Sequence, residues 1–277
     1  MEIYYINSAG KRVDFTGGSY KMLSPSDLFD YKWDYSTKGV NVLKVAAFSK
    51  RFREKEVQLV VSASTKTEYY QKITELMEIL DRDIGAVTPG RLYVGNTYLQ
   101  CFFVSSEKPK RYINTQKTTV NLKLLAENGN WIHEEKKSFA KVTNALYETD
   151  GLDYPHDYPF DYTNNLVNQK IVNDNYAASD FEMVIYGSCE NPAISIGTHT
   201  YEVNASLIVG EYIVINSLTR KIYKVKNSGE QVNLFYLRGR DFYIFEKIPA
   251  GIMSVAWTGS FGFDIKLMSE RSEPKWI

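Results

Sequence analysis

Residue types that could catalyse a reaction or hold a metal are few in this chain and scattered along it. Its 277 residues include three histidines, His133, His156 and His199, each in a different segment. None has a cysteine or second histidine at metal-ligand spacing. Cys101 and Cys189, the only cysteines, sit in the apolar runs YLQCFFV and VIYGSC. Two buried free thiols are expected there rather than a disulfide framework. The segment GLDYPHDYPFDY sets Asp153, Asp157 and Asp161 at intervals of four. Calcium loops place their ligands at alternate positions around a glycine turn, so this spacing does not fit one. Pro155 and Pro159 instead force extended backbone on the residues before them, as a structured crossing between domains would require.

Motifs for nucleophilic or phosphate chemistry are absent. No G-x-S-x-G elbow, Walker loop or dinucleotide glycine fingerprint occurs, and Gly17–Gly18 is a lone turn. A glycosidase needs two facing carboxylates, and nothing here marks a particular pair. The chain is therefore expected not to be an enzyme, with no catalytic, cofactor-binding or metal residue to assign. Sugar modules stack saccharides on exposed aromatics, which makes Trp257 and Trp276 candidates. Trp257 shares its strand phase with Val255 in SVAWTG, and so is expected in the core.

Charge gives a second exclusion. Formal net charge is zero, but residues 1–141 carry 22 Lys/Arg against 16 Asp/Glu, and residues 142–277 carry 11 against 17. A nucleic-acid binder concentrates far more positive charge on one face. The imbalance fits either ordinary scatter or complementary contacts within an assembly. No apolar run approaches the ~20 residues that span a bilayer, and the start MEIYYINSAGKR is not a secretory signal.

The elements that would position these residues are mostly strands. Aromatics reach 14% of the chain, with 21 Tyr and 14 Phe, a composition suited to pleated, half-buried surfaces. Ile3, Tyr5 and the run Arg12–Phe15 predict an opening hairpin, and the region Ser24–Asp34 a loop with short strands. Asn41–Ser49 and Arg53–Ala63 predict two further strands, with the charged stretch Lys50–Glu56 a solvated turn between them. Thr65 and Glu68 form a T-x-x-E capping box, after which Tyr69, Ile73, Leu76, Met77, Leu80 and Ile84 mark one helical face. This predicts a single helix ending before Gly85. Strands follow at Gly90–Val94 and Thr97–Ser105, joined by Gly95–Asn96, and at Thr118–Leu125.

The chain is thus read as mainly β. Residues 1–141 form an N-terminal α+β domain, a β-sandwich with one helix. Residues 142–165 form a linker or crossing, and residues 166–277 a C-terminal β-sandwich or jelly roll. In the last of these, strands are expected at Phe181–Gly187, Ala193–Gly197, His199–Asn204, Glu211–Asn216, Lys221–Lys226, Val232–Leu237, Tyr243–Phe245, Ile252–Trp257 and Phe263–Met268.

Three features together resemble the distal tail proteins of siphophages that infect Gram-positive hosts. They are the order of strands, helix, strands and β-only second half, the Asp-Tyr-Pro repeat at 151–162, and the closing run KIPAGIMSVAWTGSFGFDIKLMSERSEP. The resemblance implies a virion protein at the distal end of the tail, assembled in the host cytoplasm. It implies a homohexameric hub in which N-terminal domains form a ring and galectin-like C-terminal domains project outwards. The implied partners are the tail tube protein, the tail-tip protein and a receptor-binding protein, without nucleic-acid or membrane binding and without a cofactor. The galectin sugar-binding pattern of His, Asn, Arg and Trp is missing, which argues against a lectin of that kind. The rival readings are a carbohydrate- or receptor-binding β-sandwich and a glycan-processing enzyme.

Overall fold

The computed structural model describes residues 2–23, 27–39, 44–50, 53–108, 116–142 and 167–274. The crossing segment expected at 142–165 lies almost wholly outside them, as do Trp276, His156 and the three spaced aspartates. The chain divides into two compact units, Met1–His133 with Glu270–Ile277, and Glu134–Ser269.

The first unit opens with β1 (Ile3–Ile6), β2 (Arg12–Asp14), β3 (Thr16–Gly17) and β4 (Tyr20–Met22). After these come β5 (Asp34–Lys38), β6 (Lys44–Ser49) and β7 (Arg53–Ser62). The helix α1 (Lys66–Ala86) precedes β8 (Gly90–Val94), β9 (Thr97–Glu107) and β10 (Lys117–Phe139). Apart from β5 and β6, the strands form one antiparallel run, β2-β1-β8-β9-β10-β7-β4-β3. Its end strands β2 and β3 follow one another through Phe15, whose N–H donates to the Ile3 carbonyl at 2.8 Å, and the Ile3 N–H donates to Thr16 Oγ1 at 2.9 Å, so the sheet curls back on itself. Inside lie Tyr5, Phe15, Leu59, Val61, Leu92, Leu99, Cys101, Leu122, Leu124 and Trp131.

α1 closes this core because its sequence gives it one apolar face and a firm start. Thr65 accepts from the Glu68 N–H at 3.1 Å, and Glu68 accepts from the Ser64 N–H at 3.0 Å. Tyr69, Leu76, Ile79 and Leu80 are buried against the sheet. The helix continues through Gly85 to Ala86 rather than stopping before it. Val87 then takes the left-handed conformation, and its N–H caps the carbonyls of Asp83 and Ile84. Ile84 turns to solvent, while Asp83 is buried, accepting from the Tyr5 hydroxyl at 2.5 Å and the Ser8 N–H at 2.7 Å.

Two further expectations are corrected in this unit. β10 does not end at Leu125; it runs to Phe139, with a register shift against β9 between Ala126 and Trp131. Asn128–Gly129 lies inside this irregular stretch of the strand. The charged run Lys50–Glu56 is not a solvated turn over its described part. Residues 53–56 pair with β10, and buried Lys55 donates to the carbonyls of Asp27 and Asp30.

The second unit contains β11 (Val167–Asn173), β12 (Asp180–Tyr186), β13 (Cys189–Glu190), β14 (Ala193–Ile196) and β15 (His199–Glu202). It continues with β16 (Ser206–Leu207), β17 (Tyr212–Asn216), β18 (Lys221–Val225) and β19 (Gln231–Asn233). The last strands are β20 (Gly251–Trp257) and β21 (Phe263–Arg271). One sheet has the order β19-β18-β17-β12-β21 and a second has β11-β20-β14-β15. Phe181, Met183, Ile185, Ile213 and Ile215 from the first share a core with Ile171, Ile194, Ile196, Val255 and Trp257 from the second. This is a β-sandwich. β11 was not expected, and the expected strand Tyr243–Phe245 is a turn whose Ile244 and Phe245 are nonetheless buried. Val232–Leu237 ends in a short 3-10 helix over Phe235–Leu237.

Candidate interaction surfaces

Among the described residues, the histidines and cysteines are not brought together. His133 lies 3.4 Å from the Asn96 carbonyl and His199 2.9 Å from the Tyr243 carbonyl, in different units. Cys101 is fully enclosed in the first core, where burial pushes its thiol far above the usual range. Cys189 is half-buried, and burial pushes it up to about 11. Among the described residues no group of three or more His, Cys, Asp or Glu is placed to hold a metal, and no helix is long and apolar enough to cross a membrane. Trp257 is 1% exposed, donates its Nε1–H to the Phe261 carbonyl at 3.0 Å, and packs edge-on against Phe139 and Phe263. It is a core residue and offers no stacking platform.

What the surface does offer are two features of opposite kind. In the first unit β5 and β6 form a two-stranded sheet of their own. Tyr35 opposes Phe48, Ser36 opposes Ala47, the register then slips, and Lys38 opposes Lys44. Tyr35 is 67% exposed, Phe48 64% and Val45 53%. At its base Trp33 meets Phe48 edge-on at 6.5 Å. The Lys50 ammonium lies 4.7 Å above the Trp33 ring and donates to Asn130 Oδ1 at 2.6 Å. Burial of this ammonium lowers its pKa, outweighing the attraction of Glu270. An isolated two-stranded hairpin is marginal in water, and like charges directly opposite each other weaken it. Exposed aromatic surface is thus concentrated on an element with little to stabilise it alone.

In the second unit a cleft of about 550 Å³ opens beside β18 and β19. Thr219, Arg220, Lys221, Tyr223, Gln231 and Asn233 line it, and Phe235 forms one apolar wall. The turn from β17 to β18 shapes its rim. Asn216 Oδ1 accepts from the Thr219 N–H at 2.9 Å, Asn216 Nδ2 donates to Glu182 at 2.9 Å, and Arg220 adopts φ 53°. Burial first, and the nearby Glu182 second, raise the Tyr223 pKa and hold it as a neutral phenol. No sequence pattern announced this cleft, because its residues come from a turn and two strands whose exposed positions look like any solvated face.

No protein-family model matches the sequence, and no curated protein matches it either. Solved structures do match. The fold is similar to a chain of the phage P2 baseplate in its activated conformation with Ca, at 14% identity and a TM-score of 0.66, over 99% of each chain. The same baseplate with Sr gives 15% identity and a TM-score of 0.66, again over 99% of each. The SPP1 Dit (gp 19.1) protein, described as a paradigm of the hub adsorption apparatus in phages infecting Gram-positive hosts, gives 11% identity and a TM-score of 0.58 over 98% of each chain. The resemblance drawn from the order of strands and helix thus holds for the fold from end to end: the chain carries the fold of these phage baseplate and hub proteins.

Proposed function

We propose that this chain is a structural component of a phage tail tip, six copies of which form a ring joining the tail tube to the tail-tip and receptor-binding proteins. The observation that carries the reading is the fold, which follows the baseplate and hub proteins through both units and over nearly the whole of each chain. The β5–β6 hairpin supports it. A heterologous contact repeated with rotational closure covers the same patch on every copy, and the exposed Tyr35, Val45 and Phe48 are such a patch. The role requires no catalysis. In this reading the first unit builds the ring and the second unit is left free for partners.

Sedimentation and negative-stain microscopy of the full chain test the ring. The expected particle has six-fold symmetry and six times the 31.8 kDa protomer mass. The excess positive charge of residues 1–141 opposes close packing, so moderate salt, which screens charges beyond ~10 Å, should favour the ring over low salt. A 31.8 kDa monomer at every concentration and salt would sink the proposal.

A further inference from the structure

The cleft beside β18 and β19 is chemically out of character with its surroundings. Residues 142–277 carry 17 acidic against 11 basic residues, yet no carboxylate lines the cleft and two cations do. Arg220 and Lys221 both reach it, and neither has an ion-pair partner among the described residues. Arg220 also occupies a left-handed backbone position, φ 53°, which glycine or asparagine fills at lower cost. A cation held there against backbone preference, beside a second unpaired cation, is suited to meeting an anion.

The rest of the lining extends the specificity. Asn233 Oδ1 accepts from the Phe235 N–H at 2.8 Å, which leaves its amide N–H groups free, and the Gln231 amide stands on the same edge strand. Together with the Tyr223 phenol these groups donate and accept as a row of hydroxyls requires. Phe235 supplies an apolar face, held rigid by the Arg238 guanidinium 4.0 Å from its ring centre. At about 550 Å³ the cleft has the size of a small-molecule site rather than of a bare anion hole.

We infer that this cleft binds a polyhydroxylated chain bearing anionic groups, either a phosphodiester-linked polyol or an acidic saccharide. Arg220 and Lys221 meet the anion, and the amides and Tyr223 meet the hydroxyls. The site differs from the missing galectin pattern and from Trp257.

Calorimetry of the full-length protein at low salt, with poly(glycerol phosphate), polygalacturonate, dextran and a single-stranded oligonucleotide, tests this. Heat with poly(glycerol phosphate) alone supports the site and names the phosphodiester source; heat with polygalacturonate alone supports it and names the acidic sugar. Arg220→Gly, which suits the left-handed position, should bind on the order of tenfold more weakly, the loss of one charge-assisted hydrogen bond. Its urea midpoint should match or exceed that of the parent chain, separating lost binding from lost folding. Lys221→Gln should weaken binding in the same direction. Silence with both anionic polymers up to millimolar repeat units, equal binding of dextran, preference for the oligonucleotide, or affinity unchanged in the Arg220→Gly/Lys221→Gln double variant would each overturn the assignment.

Discussion

The hairpins β5–β6 and β17–β18 each match five residue pairs across two short strands, yet their side chains are treated in opposite ways. In β17–β18 the ladder is regular, and Ile213, Ile215 and Ile222 lie within the sandwich core. In β5–β6 the ladder slips after Ser36, and Tyr35, Val45 and Phe48 meet water. Local sequence separates them only in part, since Tyr212–Asn216 is dense in Ile and Val while Asp34–Lys38 is mostly polar, yet each hairpin carries aromatic and β-branched residues beside lysine. The difference lies in what each hairpin is packed against. One is stabilised by its own chain, and the other is held out with its apolar surface uncovered.

Substitutions should divide along that line. The largest effect is expected from Ile215→Ala, which removes a fully buried side chain from the second core. Urea unfolding should show a loss of about 2–5 kcal/mol, whatever the oligomeric state. Phe48→Ser should do the reverse. Its effect on protomer stability should stay within about 0.5 kcal/mol, as for a surface position. The assembled mass by light scattering should nonetheless fall, with a loss of about 2 kcal/mol per contact if Phe48 anchors the interface. A protomer strongly destabilised by Phe48→Ser would erase the contrast between the two hairpins.

A smaller, pH-dependent effect sharpens the picture of the sheet that carries β17–β18. Asp264 on β21 accepts from the Tyr186 hydroxyl at 2.7 Å and pairs with Lys136 at 2.7 Å. Burial alone would raise its pKa, but Lys136, Tyr186 and Ser138 together outweigh burial and hold it below the ordinary 3.8. A depressed folded-state pKa contributes stability above the unfolded value and loses it as pH falls through the folded one. Stability of the second unit should therefore drop below about pH 4, and Asp264→Asn should flatten that part of the pH profile. An unaltered acid slope in the variant would show that other carboxylates carry the effect.

Much of the architecture was legible because local chemistry and burial agree there. Thr65 and Glu68 announce α1, and the two-residue turn Gly95–Asn96 joins β8 to β9 as its composition suggests. The sequence misleads where tertiary contacts override local preference. Gly85 does not stop the helix, because the Val87 N–H caps carbonyls that would otherwise be orphaned. Asn128–Gly129 does not end β10, because β9 pairs with it on both sides of the irregularity. Ile244 and Phe245 look like strand residues because they are buried, but a turn can bury two side chains as well as a strand can. The candidate surfaces were the least legible part. Tyr35 and Phe48 have the residue types of a core, and only the neighbours they lack reveal them as surface. Arg220 and Lys221 look like ordinary hairpin charges until the lining around them proves to hold no acid.

The two thiols give the molecule a reporter that requires no engineered label. Each unit holds one cysteine, Cys101 enclosed in the first core and Cys189 half-buried in the second. Only a thiolate attacks a disulfide reagent, and both thiols are kept protonated by their surroundings. The native chain should release colour from such a reagent slowly and from Cys189 first. Cys101 should react only when the first sheet opens, so the lag between the two steps reads out the opening of that unit in real time.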